Sequence, residues 1–247
     1  MTDEHPEVRV GVLGAGFVAR RHVEKLTTLA GVRITSVADP QRERAECLAE
    51  RCGAVAADGV EQVLDGGVDC LYVCVPPSEH GPPEYLAIAA GVPLFVEKPL
   101  AADRPTAEEE ALTVRADGEQ GPGGPGDIAH AVTSTLRFDS GAVGSFSTTC
   151  LLPGGYRMAV ELFAPGLALK LTWQDLLVVD RDGERTVAPQ VDPVLEEDRQ
   201  FIEAVRGREA DLRSPYAEAL RTHRLAWAVA EAARTGTTVG LTEAVHG

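Results

Sequence analysis

No run of apolar residues in the 247-residue chain approaches the roughly 20 needed to cross a bilayer as a helix. The first residues, MTDEHPEVRV, lack the basic start and apolar stretch of a secretory signal, so a cytoplasmic protein is expected. Positive charge is scarce. The 23 Lys and Arg stand against 38 Asp and Glu, a formal net charge of −15. That balance argues against non-specific nucleic-acid binding and against attraction to anionic membranes. Cysteine is too sparse and irregular for a metal or disulfide framework: Cys47, Cys52, Cys70, Cys74 and Cys150 are odd in number and lack zinc-type paired spacing. They read as free thiols in a reducing compartment. One stretch, GPGGPG at Gly121 to Gly126, lacks any side chain that could pack.

What is present is a regular alternation. VRVGVL (8–13) is a Val-rich apolar run that ends in glycine, the pattern of a buried strand. A helical segment follows and closes at Gly31. VRITSVAD (32–39) and PQRERAECLAERCG (40–53) repeat the theme, with Pro40 near the helix start and Gly53 past its end. A short AVAA strand, a helix around 60–66 and the strand VDCLYVCV (68–75) come next. SEHGPPEYLAIAAG is expected to be a helix broken near its start by Pro82 and Pro83, and VPLFVEK (92–98) a fifth strand. Strands and helices in this order predict a doubly wound parallel α/β sheet.

The first strand–helix turn carries chemistry. Gly14-Ala15-Gly16-Phe17-Val18-Ala19 fits G-x-G-x-x-G/A. The first glycine permits a tight turn, the second a close approach of pyrophosphate, and the small third residue close helix packing. The helix start at Phe17 and Val18 offers free N–H groups to phosphates. Asp39, at the end of the second strand, is placed to accept from both ribose hydroxyls and to repel a 2′-phosphate. NAD is therefore expected over NADP, although Arg42 and Arg44 leave room for the phosphate. Two more groups follow strand ends, where ligands bind in such sheets: Pro76-Pro77-Ser78-Glu79-His80 and Glu97-Lys98-Pro99. Taken alone, His80 would be a solvated loop histidine and Lys98 a surface ion pair with Glu97.

Together these segments resemble the Gfo/Idh/MocA oxidoreductase family, which includes glucose–fructose oxidoreductase and inositol dehydrogenases. GVLGAGFVARRHVEKL, VADP, CVPPSEH and GVPLFVEKPLA look like that family's successive signatures. The resemblance implies that Lys98 lies beside nicotinamide and substrate, and that Pro76, Pro77, His80 and Glu97 surround the cofactor. Lys98 and His80 become the catalytic candidates. It also implies a C-terminal α+β domain with an open, mainly antiparallel sheet that pairs with a second copy of the chain. AVTSTLRFDSGAVGSFSTTC (131–150) reads as a hairpin turning at Asp139-Ser140-Gly141, and YRMAVELFAPGLALKLTW (156–173) as another turning at Pro165-Gly166. LLVVD and RTVA flank Asp182-Gly183. Two amphipathic helices follow; the second is expected to have Ser214 as N-cap, Pro215 in its first turn and Gly236 past its end. Trp173, Trp227 and His223 read as packing or solvated residues.

The expected organisation is a Rossmann domain at 1–120, a Gly/Pro linker at 121–126 and a shortened substrate and dimerisation domain at 127–247. After the EKP motif the family continues with a helix, a sixth parallel strand and a helix bearing a D-x-G-x-H-like motif. No D-x-G-x-H occurs in this sequence, and His130, the histidine nearest the gap, does not match it. Three functions stay open: an NAD-dependent oxidoreductase of a sugar, polyol or related hydroxylated small molecule with Lys98 as main polar catalyst; a non-redox lyase, cyclase or isomerase on the same scaffold; and a non-catalytic partner subunit.

Overall fold

The computed structural model describes residues 6–101, 131–149 and 158–241. The Gly121–Gly126 linker, His130 and Cys150 lie outside them. The chain divides into two compact units, Met1–Ile128 with Glu197–Gly247, and Ala129–Glu196.

In the first unit, β1 (Val8–Leu13), β2 (Val32–Ala38), β3 (Val55–Ala57), β4 (Cys70–Val73) and β5 (Leu94–Val96) alternate with α1 (Phe17–Leu26), α2 (Arg42–Cys52), α3 (Val60–Asp65) and α4 (Pro82–Ala89). The strands form a five-stranded sheet in the order β3-β2-β1-β4-β5, and every pairing is parallel. Period-two alternation explains the two cores. Val10, Val12, Cys70 and Tyr72 pack on one face with Ala19, Val23 and Leu26 of α1, whereas Leu71 and Val73 pack on the other with Val63 of α3 and Ala87 of α4. Gly11 in mid-β1 is required by α3: an added Cβ would lie 2.5 Å from a Val63 methyl carbon and 3.0 Å from one of Leu71.

Three local expectations change. The helix after β1 ends at Leu26, and Thr27 caps it rather than the segment running to Gly31. Pro82 and Pro83 begin α4 instead of breaking a longer helix, since the first-turn N–H groups have no intrahelical partner to lose. Ser78 and Glu79 form a separate 3-10 turn, Pro77–Glu79.

The last two helices, α5 (Pro193–Val205) and α6 (Tyr216–Thr235), were assigned by sequence to the second domain. From Glu197 onward they belong to the first unit. The cause is burial: Ile202 joins the β1–α1 core, and Leu220 packs with Leu100 and Ala101. Arg206 of α5 also donates to the carbonyl oxygens of Ala30, at 2.7 Å, and Gly31, at 3.1 Å. Pro215, not Ser214, occupies the N-cap position of α6, and Gly236 ends the helix with φ of 67°.

The second unit is antiparallel. β6 (Ala131–Arg137) and β7 (Val143–Thr149) form a two-stranded hairpin. β8 (Ala159–Ala164), β9 (Leu167–Thr172), β10 (Leu176–Asp180) and β11 (Gly183–Val187) form a four-stranded sheet in the order β11-β10-β9-β8. Register places Val160, Leu162, Leu169, Leu171, Leu176 and Val178 on one face of that sheet, and the Glu161–Lys170 ion pair on the other. Val160, Leu162 and Leu171 on the apolar face are exposed.

Gly11→Ala is expected to destabilise the protein by about 1–3 kcal/mol through overpacking. Combining it with Val63→Ala, which removes the obstructing methyls, should cost less than the two single changes summed. Urea denaturation of the single and double variants measures both effects.

Candidate functional site

The carboxyl ends of β1, β2, β4 and β5 are tied together by backbone hydrogen bonds. Gly14 N–H donates to Ala38 O and Cys74 N–H to Leu13 O, both at 2.8 Å, and Glu97 N–H donates to Val73 O at 2.9 Å. Gly14 has φ of +86°, and an added Cβ would lie 2.3 Å from Cys74 O, so only glycine fits this turn. Gly16 differs: its missing Cβ would meet nothing within 4 Å, and it opens α1 with no side-chain cap on the helix N-terminus. The first amides of α1 are therefore open to an anion. Ala19 is wholly buried between helix and sheet. Phe17 is exposed, with the Arg21 guanidinium 6.0 Å from its ring centre, and Val18 is half-buried.

Asp39 is preset by the same turn. Its Oδ2 accepts from Ala15 N–H and its Oδ1 from Gln41 N–H, both at 2.8 Å. Each carboxylate oxygen keeps acceptor capacity for a ribose hydroxyl. Arg42, one candidate for a 2′-phosphate, is engaged by Glu46 at 2.9 Å and by Asp58. A glycine cradle open at Gly16, an uncapped helix start and a fixed carboxylate fit a dinucleotide.

The second half of the site is built around His22, which the sequence reading passed over. It lies inside α1 at 2% exposure. Its Nδ1 is 2.7 Å from Asp198 Oδ1 of α5, and its Nε2 is 2.9 Å from Glu97 Oε1 of the EKP motif. Burial by itself lowers the imidazole's pKa, but the hydrogen bonds and charges of the two carboxylates outweigh it and raise it to about 9. At neutral pH His22 is thus an imidazolium donating to both. Burial raises the Asp198 pKa from its ordinary value against the pull of His22, whereas for Glu97 the opposing pull of His22 wins and the value falls. An aromatic group surrounds the cation: Phe95 lies 4.9 Å and Tyr72 5.4 Å from the His22 ring, Tyr72 and Phe95 stack at 4.6 Å, and Phe201 of α5 meets both edge-on at 5.5 Å. Burial, and then the Asp198 charge, hold the Tyr72 hydroxyl well above its ordinary pKa.

Lys98 follows Glu97 and is exposed. Its backbone N–H donates to Glu97 Oε2 at 3.1 Å. Two residues on, Leu100 N–H donates to His223 Nε2 of α6 at 3.0 Å, and His223 Nδ1 meets Ala219 O at 2.8 Å. His80, which the family resemblance sets at the cofactor and which alone would read as a solvated loop residue, is drawn into the protein. It is buried, with Nδ1 2.6 Å from Glu84 Oε1, while Glu84 Oε2 accepts from Gly81 N–H at 2.8 Å. This carboxylate draws the imidazole inward because it also caps α4. His80 Nε2 is buried without a hydrogen-bond partner among the described residues. Pro76 is exposed and Pro77 half-buried beside this pair. No hydrogen bond joins His80 to Glu97 or Lys98 among the described residues, so the two histidine–carboxylate groups are separate.

Cys47, Cys52, Cys70 and Cys74 are free, and burial pushes the Cys70 thiol up to about 12. Among the described residues no cluster of His, Cys, Asp and Glu could hold a metal ion, and no helix is long and apolar enough to cross a membrane.

Comparison with known proteins places this arrangement. Residues 8–120 match the family model described as "Oxidoreductase family, NAD-binding Rossmann fold". Over these residues the chain is similar to the NAD-binding Rossmann domain of the Gfo/Idh/MocA oxidoreductase family. It is 38% identical over 99 residues to inositol 2-dehydrogenase 1 of Saccharopolyspora erythraea, which is 38% of this chain and 29% of that protein. It is 37% identical over 100 residues to the NAD(+)-dependent scyllo-inositol 2-dehydrogenase of Bacillus subtilis, 39% of this chain and 29% of that protein. With inositol 2-dehydrogenase 2 of Paenarthrobacter aurescens the match is 33% over 144 residues, 55% of this chain and 40% of that protein. The chain thus spans well under two thirds of these relatives' length. Among solved structures, GenD2 from gentamicin A biosynthesis, in complex with NAD, superposes with a TM-score of 0.77 at 18% identity, covering 96% of this chain and 97% of that one. KijD10, a 3-ketoreductase from Actinomadura kijaniata in complex with NADP, gives 0.73 at 21%, covering 94% and 98%. At these identities the superpositions speak to the fold.

The His22 shift sets a pH signature. Its folded value lies above the ordinary 6.5, so its contribution to stability is complete below about pH 6.5 and is lost as pH rises through about 9. Glu97 acts oppositely at the acid end: its contribution is present above 4.5 and is lost as pH falls through its depressed value. His22→Ala should destabilise the fold by about 3–5 kcal/mol, because it strands Asp198 as a buried unpaired charge. Thermal unfolding from pH 6 to pH 10 should show the alkaline loss in the wild type and its absence in His22→Ala.

Proposed function

We propose that the chain is an NAD-dependent oxidoreductase acting on a polyol or sugar-like ring, with inositols as the first class to try. One observation carries this reading: the glycine cradle, Asp39 and the Glu97-Lys98 segment lie along one set of strand ends, with the cradle open at Gly16. The inositol dehydrogenase relatives supply the substrate class. The engagement of Arg42 by Glu46 and Asp58 supports NAD over NADP.

The chemistry that a bound NAD would supply is acceptance of a hydride from the substrate's carbinol carbon. The chain's own residues do the remaining work. Asp39 selects a free ribose, and the α1 amides hold pyrophosphate. The Lys98 ammonium hydrogen-bonds the substrate hydroxyl and stabilises the charge that grows on its oxygen. Lys98 is exposed, so water reaches the same hydroxyl and carries the proton away. A non-redox reaction on this scaffold is the second reading, favoured by the lack of a D-x-G-x-H segment in the sequence. We also propose that a second copy of the chain covers the Val160, Leu162 and Leu171 face, which is too apolar for an isolated sheet to leave in water.

Fluorescence titration should show NADH binding at least about tenfold more tightly than NADPH, with Asp39→Asn narrowing the gap. Lys98→Ala should lower kcat for NAD-linked myo-inositol oxidation by about 100-fold or more while leaving NADH affinity in place. Failure to bind either nucleotide overturns the redox reading; binding without oxidation of any polyol favours the non-redox one. Sedimentation should give a dimer that Leu162→Arg converts to monomer.

A further inference from the structure

We propose that His223 is a positioning residue for Lys98, and that His22 and His223 form a two-ended clamp on the segment Glu97 to Leu100. This rests on the reading of Lys98 as the principal polar catalyst. The Lys98 ammonium makes no hydrogen bond or ion pair among the described residues, and its side chain is exposed. Its place is therefore set by its backbone.

Upstream, that backbone is held by Glu97. The Glu97 carboxylate is fixed by His22 at 2.9 Å and receives the Lys98 N–H at 3.1 Å, and Glu97 N–H is tied to β4 through Val73 O at 2.9 Å. Downstream, Pro99 has no N–H to give, so the first amide after Lys98 able to anchor the segment is that of Leu100. That amide donates to His223 Nε2 at 3.0 Å. The other ring nitrogen of His223 is used as well: Nδ1 donates to Ala219 O at 2.8 Å, one turn back along α6. This bond fixes the neutral tautomer whose lone pair sits on Nε2, facing Leu100. The two clamp histidines thus act in opposite ways, His22 as a donor to a side chain and His223 as an acceptor from the main chain. Leu100 and Ala101 are buried against Leu220, with Trp227 packed alongside, so the half-buried acceptor sits at the edge of an apolar contact. A residue that only filled space on α6 would need neither nitrogen.

The sequence offers a direct probe. It contains three lysines, Lys25, Lys98 and Lys170. Reductive methylation with ¹³C-formaldehyde gives each a dimethylamine signal, and Lys98→Arg assigns the one of interest. In His223→Leu the Lys98 signal should change in position or linewidth, as its backbone is released, while those of Lys25 and Lys170 hold. In His223→Gln, whose amide oxygen reaches the Nε2 position, it should return toward wild type. In parallel, kcat for NAD-linked myo-inositol oxidation should fall about tenfold in His223→Leu, with KM and NADH affinity within about threefold, and should recover in His223→Gln. If His223→Leu does not fold by circular dichroism, His223→Asn, too short to reach Leu100, takes its place. An unmoved Lys98 signal in the acceptor-free variant overturns the proposal, as does equal loss in the Gln and Leu variants. Should the wild type bind no NADH, the proposed function fails, and the ¹³C signals still decide the clamp in the free protein.

Discussion

A buried imidazolium between two carboxylates joins the parts of the first unit. His22 comes from the helix that begins the dinucleotide turn, Glu97 from the end of the last sheet strand, and Asp198 from a helix that follows the second unit in sequence. None of the three would be tolerated in such a core alone; each charge is acceptable because the others are present. The aromatic rings of Tyr72, Phe95 and Phe201 exclude water around them and so strengthen the pairing. The same cation that stabilises the core also determines where the EKP motif stands relative to the glycine turn. Stability and site geometry here depend on one proton.

The alternation of strands and helices, the glycine turn and Asp39 were legible in the sequence because each is local. Strand period, turn chemistry and a carboxylate at a strand end are written within a few residues of one another. What was not legible depended on partners far along the chain. Asp198 looked like the polar face of an amphipathic helix, and nothing nearby marks it as wholly buried. His80 sits in a Pro-rich turn that reads as solvent-facing; its burial follows from Glu84, which simultaneously caps α4. His22 did leave a trace: with Ala19, Val23 and Leu26 it falls at the helical spacing of the buried stripe of α1. A histidine on such a stripe needs partners, and that signal was available. His223 left none, because its partner is a main-chain amide.

The second unit shows a different balance. Its turns at Asp139-Ser140-Gly141 and Pro165-Gly166 and its strand alternation follow directly from residue type, and Gly141 and Gly166 take the positive φ those turns require. The sheet they build is incompletely covered. Both faces carry exposed apolar side chains: Phe163 and Val179 lie on the face of the Glu161–Lys170 pair, and Val160, Leu162 and Leu171 on the other. An antiparallel sheet commonly leaves one face to water, but apolar side chains on a face call for cover.

The first unit is discontinuous in sequence: the second unit interrupts it, and the chain returns at Glu197. His22 and Asp198 are 176 positions apart. During synthesis the amino-terminal strands and helices leave the ribosome well before Asp198 exists, and for that interval His22 has Glu97 alone to answer its charge. The nascent Rossmann sheet therefore waits, with one face uncovered, until α5 has been made. Any truncation that removes α5 and α6 takes away a wall of the sheet's core, and leaves the glycine turn attached to a helix whose buried histidine has lost one of its two carboxylate partners.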